Sequence, residues 1–157
     1  MQPFLKTLVE ALADAGVRFA VIGGVAINLR GHTRATEDFD VVYARDRENL
    51  AALVAALSPL HPTLRGAPKE LPFVFDVPTL RAGMNFTLDT DAGPIDLLGE
   101  VTGLGGFAAV DPLCDEFQLF GRKVLVLNVE GLLRAKRAAG RPKDLLDLAP
   151  LELLRKR

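Results

Sequence analysis

Asp38 and Asp40 stand two residues apart in Glu37-Asp38-Phe39-Asp40-Val41-Val42-Tyr43. The strand period of two sends both carboxylates to one face and Phe39 and Val41 to the other. At an effective dielectric of about 20, two carboxylates about 4 Å apart repel by roughly 4 kcal/mol, so such a pair needs solvent, a proton or a cation. A third acid, Asp96, lies in Pro94-Ile95-Asp96-Leu97-Leu98, an apolar strand pattern opened by the turn signal Asp91-Ala92-Gly93. If this strand pairs beside the first with Asp96 on the same face, three oxygen donors converge, as a hard cation such as Mg²⁺ requires. Two-metal phosphoryl transfer uses this arrangement: one ion activates the attacking oxygen and the other shields the phosphates and leaving group.

The other half of that chemistry is a phosphate cradle. The apolar run Phe19-Ala20-Val21-Ile22 reads as a buried strand, and Gly23-Gly24 after it lets the backbone turn while leaving its N–H groups uncovered. Val25-Ala26-Ile27-Asn28-Leu29 then begins a helix, whose unpaired N–H groups and dipole face an anion at the turn. Thirteen residues separate Gly24 from Asp38. Each feature has an ordinary reading as well, the glycine pair as a plain turn and the Asp-x-Asp as a solvated strand edge. Their order and the third aspartate are what favour chemistry on a nucleoside triphosphate.

The order of glycine pair, Asp-x-Asp strand and lone-Asp strand resembles the nucleotidyltransferase superfamily with a DNA polymerase β-like core. Within it, Gly31-His32-Thr33-Arg34-Ala35-Thr36-Glu37-Asp38-Phe39-Asp40 and Lys136-Arg137-Ala138-Ala139-Gly140-Arg141-Pro142-Lys143-Asp144-Leu145-Leu146-Asp147-Leu148 are similar to small bacterial members related to the AbiEii toxins. The resemblance covers about residues 19 to 148. It implies an α/β (α+β) fold with a mixed sheet flanked by helices, two Mg²⁺ ions (or Mn²⁺) on Asp38, Asp40 and Asp96, and an NTP whose phosphates lie over Gly23 and Gly24. Many members carry Gly-Ser where this chain has Gly23-Gly24; here backbone N–H groups replace the serine hydroxyl.

Lys136 follows Val129, Leu132 and Leu133 at +7, +4 and +3, which puts it on the apolar side of a helix from about 129 to 139. An ammonium there is costly unless it reaches water or an anion. It has two readings, a salt bridge to Asp144 or Asp147 and, favoured by the resemblance, a contact to the β- or γ-phosphate. Arg34 is similarly divided between a pair with Glu37 and substrate binding. Pro142 with Asp144 just inside it reads as helix initiation and dipole compensation, and the resemblance adds Asp144 to the nucleotide-binding candidates.

Composition bounds the rest. With 157 residues, 49% hydrophobic and 25% charged, the chain is expected to form one domain with a sizeable core. No apolar run is long enough to span a membrane, and Pro3, Lys6 and Glu10 interrupt the stretch where a signal peptide would be continuous, so a cytoplasmic location is expected. A lone Cys114 and two histidines, His32 and His61, supply neither an internal disulfide nor a zinc cluster. His32 lies near enough to the motif in sequence to touch a substrate. The net charge of −1 hides an asymmetry: residues 118 to 157 carry +6, leaving −7 elsewhere. That basic segment either neutralises the fold or meets triphosphate or RNA phosphates.

Around these residues the pattern predicts a first helix from Pro3, with Phe4, Leu5, Leu8, Val9 and Leu12 on one face and Gly16 ending it. It predicts a helix over 45–60, an irregular Pro-rich stretch over 61–78, and hairpins over 84–101 and 117–127. Gly103-Leu104-Gly105-Gly106 is expected to be a flexible connection, and two helices to finish the chain, the last interrupted by Pro150. The expected activity is transfer of an NMP from an NTP to an acceptor hydroxyl with release of pyrophosphate. The toxin-like resemblance implies a tRNA end or a protein hydroxyl as acceptor and an antitoxin as partner, with small-molecule acceptors such as antibiotics as the second class. The rival class is a catalytically silent nucleotide- or partner-binding module of a toxin–antitoxin-type system.

Overall fold

The computed structural model describes residues 3–156 except 34, 37 and 69. Helix α1 (Pro3–Asp14) leads to strand β1 (Phe19–Ile22), helix α2 (Gly23–Leu29), strand β2 (Phe39–Tyr43) and helix α3 (Arg47–Leu57). A short edge strand β3 (Thr63–Leu64), helix α4 (Val77–Ala82) and the hairpin β4 (Asn85–Thr90) with β5 (Gly93–Leu98) follow. After α5 (Phe107–Val110), the hairpin β6 (Cys114–Leu119) with β7 (Arg122–Leu127) leads into α6 (Val129–Ala139), α7 (Pro142–Leu145) and α8 (Leu148–Arg155). The seven strands form one mixed sheet in the order β3-β4-β5-β2-β1-β7-β6. β1 runs antiparallel to β2 and parallel to β7, and β2 runs parallel to β5.

The two central strands are sealed by their own composition. All four residues of β1 are buried, and in β2 only Asp40 escapes full burial. The apolar stripe of α1 is buried at Leu5, Leu8, Val9 and Leu12, as its helical spacing requires, and joins one core with Leu50, Leu53 and Leu57 of α3. The polar groups of Asn49 and Tyr43 beside this core are matched. Buried Asn49 accepts from Arg18 N at 2.7 Å and donates to Arg18 O at 3.1 Å and Ala44 O at 2.7 Å, stapling the start of β1 to the end of β2. The Tyr43 hydroxyl donates to Met84 O at 2.8 Å and accepts from Arg45 at 2.6 Å.

Several expected boundaries shift for local reasons. The helix expected over 45–60 is α3 followed by a 3₁₀ turn at Ser58–Leu60, because Asp46 caps it through Asn49 N and Pro59 cannot donate to the helix ladder. The stretch expected to be irregular over 61–78 contains β3, which pairs with β4, and the first residues of α4. The glycine-rich connection is a tight turn closed by a bridge between Val101 and Gly105, with Gly103 held against Ala138. Pro150 does not interrupt the last helix. The break falls between α7 and α8, and Pro150 occupies the first turn of α8, where its missing N–H costs nothing.

Candidate active site

Pairing β2 with β5 sets Asp40 opposite Asp96, and pairing β1 with β2 sets Ile22 opposite Asp40. The aspartates and the residue before the glycine pair therefore meet by strand register alone. Asp38 lies two residues before Asp40 on the same face, just outside the strand. Oxygens from Asp38, Asp40 and Asp96 all lie within 4.8 Å of one another, the carboxylate group expected from the sequence.

Gly23 is fixed in place by this geometry. Its φ of +67° is in the left-handed region, and a Cβ there would run into Asp40 Oδ2. Gly24 has a different task. A Cβ on it would lie 2.8 Å from Thr36 Oγ1, so its bareness lets the loop before β2 close over α2, where Thr36 donates to Asp38 O at 3.2 Å. Ile22 caps α2 without any side-chain bond to the first-turn N–H groups.

The electrostatics of the carboxylate group are those of an unmet demand for positive charge. Burial, reinforced by the adjoining carboxyl of Asp96 and the charge of Asp38, pushes Asp40 up to about 7, and the charge of Lys136 only partly offsets this. Among the described residues, Asp40 Oδ1 and Asp96 Oδ1 are buried without an aligned hydrogen bond. Arg65 Nη2 comes within 3.1 Å of Asp96 Oδ1, but out of line for a hydrogen bond. Three hard oxygen donors with two orphaned buried oxygens suit a divalent cation.

Beside the carboxylates opens a cavity of about 430 Å³ lined by Gly23, Asp40, Asn85, Lys136, Arg141 and Asp144, with Ile22, Leu98, Val101 and Leu132 among its apolar walls. Both structural partners expected for Lys136 are present: its Nζ is 3.3 Å from Asp144 Oδ1 and 3.0 Å from Asp147 Oδ2. Asp144 is almost wholly buried, and Arg141 adds Nε at 2.6 Å to Oδ2 and Nη2 at 3.1 Å to Oδ1. Burial would raise Asp144, yet the bonds from Arg141 and Lys136 hold it below the usual carboxylate range. Asp144 thus fastens two cations at the cavity wall.

Other sequence candidates fall elsewhere. Arg34, and Glu37 with which it was matched, lie outside the described residues. His32 lines a separate pocket of about 250 Å³ with Ala149, Pro150 and Leu153 of α8, not the cavity beside Asp40. His61 pairs with Asp91 at 2.6 Å on the surface. Cys114 donates to Val110 O at 3.3 Å, and burial pushes its thiol up to about 11.

Two arginines at the site escaped sequence reading. Arg141 belongs to the basic segment but carries no periodic signal of its own. Arg65 sits in the turn after β3, where neither helical nor strand spacing points to it, and reaches Asp38, Asp89 and Asp96. Asp89 projects from β4, where exposed Asn85, Thr87 and Asp89 alternate with buried Phe86 and Leu88.

With this geometry in view, the chain compares with solved structures over nearly its full length. The antibiotic-resistance factor ANT(2″)-Ia matches 98% of this chain and 88% of its own at 17% identity, with a TM-score of 0.59. The lincosamide adenylyltransferase LnuA, solved with lincomycin bound, matches 98% of both chains at 14% identity and a TM-score of 0.64. A nucleotidyltransferase-like protein from Paracoccidioides brasiliensis matches 94% of this chain and 74% of its own at 18% identity and a TM-score of 0.51. The chain has the nucleotidyltransferase fold. No family model matches it, and no curated protein matches it significantly. Among the described residues, no helix is long and apolar enough to cross a membrane.

Proposed function

We propose that this protein is a divalent-metal-dependent nucleotidyltransferase that moves an NMP from an NTP to an acceptor hydroxyl. The observation that carries this reading is the meeting of Asp38, Asp40 and Asp96 beside a cavity walled by Gly23, Lys136 and Arg141. Asp38, Asp40 and Asp96 hold the cations, Mg²⁺ or Mn²⁺, which when bound supply charge for the phosphates and lower the pKa of the attacking hydroxyl. The chain's own residues do the rest. Gly23 leaves room for Asp40, while Lys136 and Arg141 bind the triphosphate from the wall of the cavity and hold it in line for attack. The acceptor oxygen forms its bond to the α-phosphorus as the bond to pyrophosphate breaks, and the hydroxyl proton passes to Asp96.

The resemblance to AbiEii-type chains favours a macromolecular hydroxyl as acceptor, a tRNA end or a protein side chain, with an antitoxin as partner; a small-molecule hydroxyl is the second acceptor class. The test is incubation with each labelled NTP, Mg²⁺ or Mn²⁺ and cell extract. Label on a macromolecule that disappears in the Asp40→Asn variant is the expected result. Label on small molecules only would move the acceptor to that class, and no transfer with any NTP would leave a silent nucleotide- or partner-binding module.

A further inference from the structure

The side chain of Arg65 pairs with two of the three carboxylates. Its Nη1 is 3.5 Å from Asp38 Oδ1 and its Nη2 3.1 Å from Asp96 Oδ1. The rest of the guanidinium is committed elsewhere: Nε donates to Asp89 at 3.1 Å, and Nη2 is aligned on Leu88 O at 2.6 Å. Because Nη2 is aligned on that carbonyl, Asp96 Oδ1 receives charge without an aligned hydrogen bond, and among the described residues Asp40 Oδ1 has no hydrogen-bond partner. A planar fork anchored from one side cannot reach all three carboxylates. A compact divalent ion can, since their oxygens lie within 4.8 Å of one another.

We propose that Arg65 is an internal competitor for the cation site, a positioning residue that holds Asp38 and Asp96 in the metal-free protein and withdraws toward Asp89 when Asp96 takes a divalent ion. The proposal rests on the metal-binding reading above. Withdrawal is local. The Arg65 backbone stays fixed by its N–H to Thr87 O at 2.9 Å, and the bond from Nε to Asp89 involves none of the three site carboxylates. Asp89 thus gives the displaced guanidinium a partner in the metal-loaded state.

The test is Mn²⁺ binding without nucleotide, followed by the electron paramagnetic resonance signal of free Mn²⁺, for the wild type, Arg65→Gln and Arg65→Lys. Loss of a charge-assisted contact predicts binding tighter by about ten- to a hundredfold in Arg65→Gln, with Arg65→Lys close to the wild type. Equal or weaker binding by Arg65→Gln overturns the proposal and leaves the metal reading intact, whereas no binding by any of the three proteins overturns both. A crystal of the wild type soaked in Mn²⁺ supplies a check that needs no variant to fold. An anomalous peak among the three aspartates with Arg65 drawn off Asp96 supports the proposal, and such a peak with Arg65 still against Asp96 overturns it.

Discussion

Asp40 and Asp96 are register partners on the parallel strands β2 and β5, and each keeps one buried oxygen without an aligned hydrogen bond among the described residues. Two acids placed so close in a partly dry setting repel one another, and the fold tolerates them at the expense of ionisation at Asp40. A cation or a proton relieves the conflict. That competition sets what the site should do under changed conditions.

Ligand linkage gives the simplest test. An NTP that binds only the folded chain, at about 100 times its dissociation constant, stabilises it by about 2.7 kcal/mol. Thermal unfolding should show this gain with Mg²⁺ and lose most of it in EDTA. An equal shift in both would mean that nucleotide binding owes nothing to the carboxylates.

Proton and metal should compete at Asp40. Metal affinity is expected to rise with pH, by up to about tenfold per unit below the Asp40 value of about 7, and to level off above it. The metal-free protein should behave in the opposite sense. An Asp ionises near ~3.9 in the unfolded chain, so as pH climbs from there to about 7 this group progressively removes stability. Asp40→Asn should therefore be at least as stable as the wild type at pH 8, with its advantage shrinking toward pH 4, while losing transfer. Urea unfolding across this range decides it, and a marked destabilisation of the Asn variant at pH 8 would mark Asp40 as structural.

Gly23→Ala should cost stability twice over, from a left-handed backbone position and from collision with Asp40. The backbone part alone is worth roughly 1–2 kcal/mol. Gly16→Ala separates the two effects, since Gly16 has φ +74° with open space around it. Both variants should lose urea resistance, but only Gly23→Ala should lose Mn²⁺ affinity. A Gly23→Ala protein that binds Mn²⁺ like the wild type would detach the turn from the metal site.

Lys136→Met keeps the aliphatic stem and removes the ammonium. Asp144 retains Arg141, so the stability cost should be modest, about 1–3 kcal/mol. NTP affinity should fall about ten- to a hundredfold in calorimetric titrations with Mg²⁺. Unchanged affinity would leave Lys136 with only its ion pairs to Asp144 and Asp147.

The sequence by itself determined which residues share a strand face and which lie at turns. The period of two in 37–43 and 94–98 already separated Asp38, Asp40 and Asp96 from their apolar neighbours. The spacing of Leu132, Leu133 and Lys136 placed an ammonium on a core-facing helix side, where it is now seen between two carboxylates. These placements follow from local spacing because side-chain direction repeats with backbone period, whatever the distant partners. What the tertiary structure decided is everything that depends on strand order and loop path. Only the parallel pairing of β2 with β5, 56 positions apart in the register Asp40–Asp96, brings the third aspartate to the first two. Only the added edge strand β3 carries Arg65 across to them, from a stretch whose prolines and glycine hide any periodic signal. Contacts across such separations are selected by burial of the whole sheet, and no local spacing encodes them.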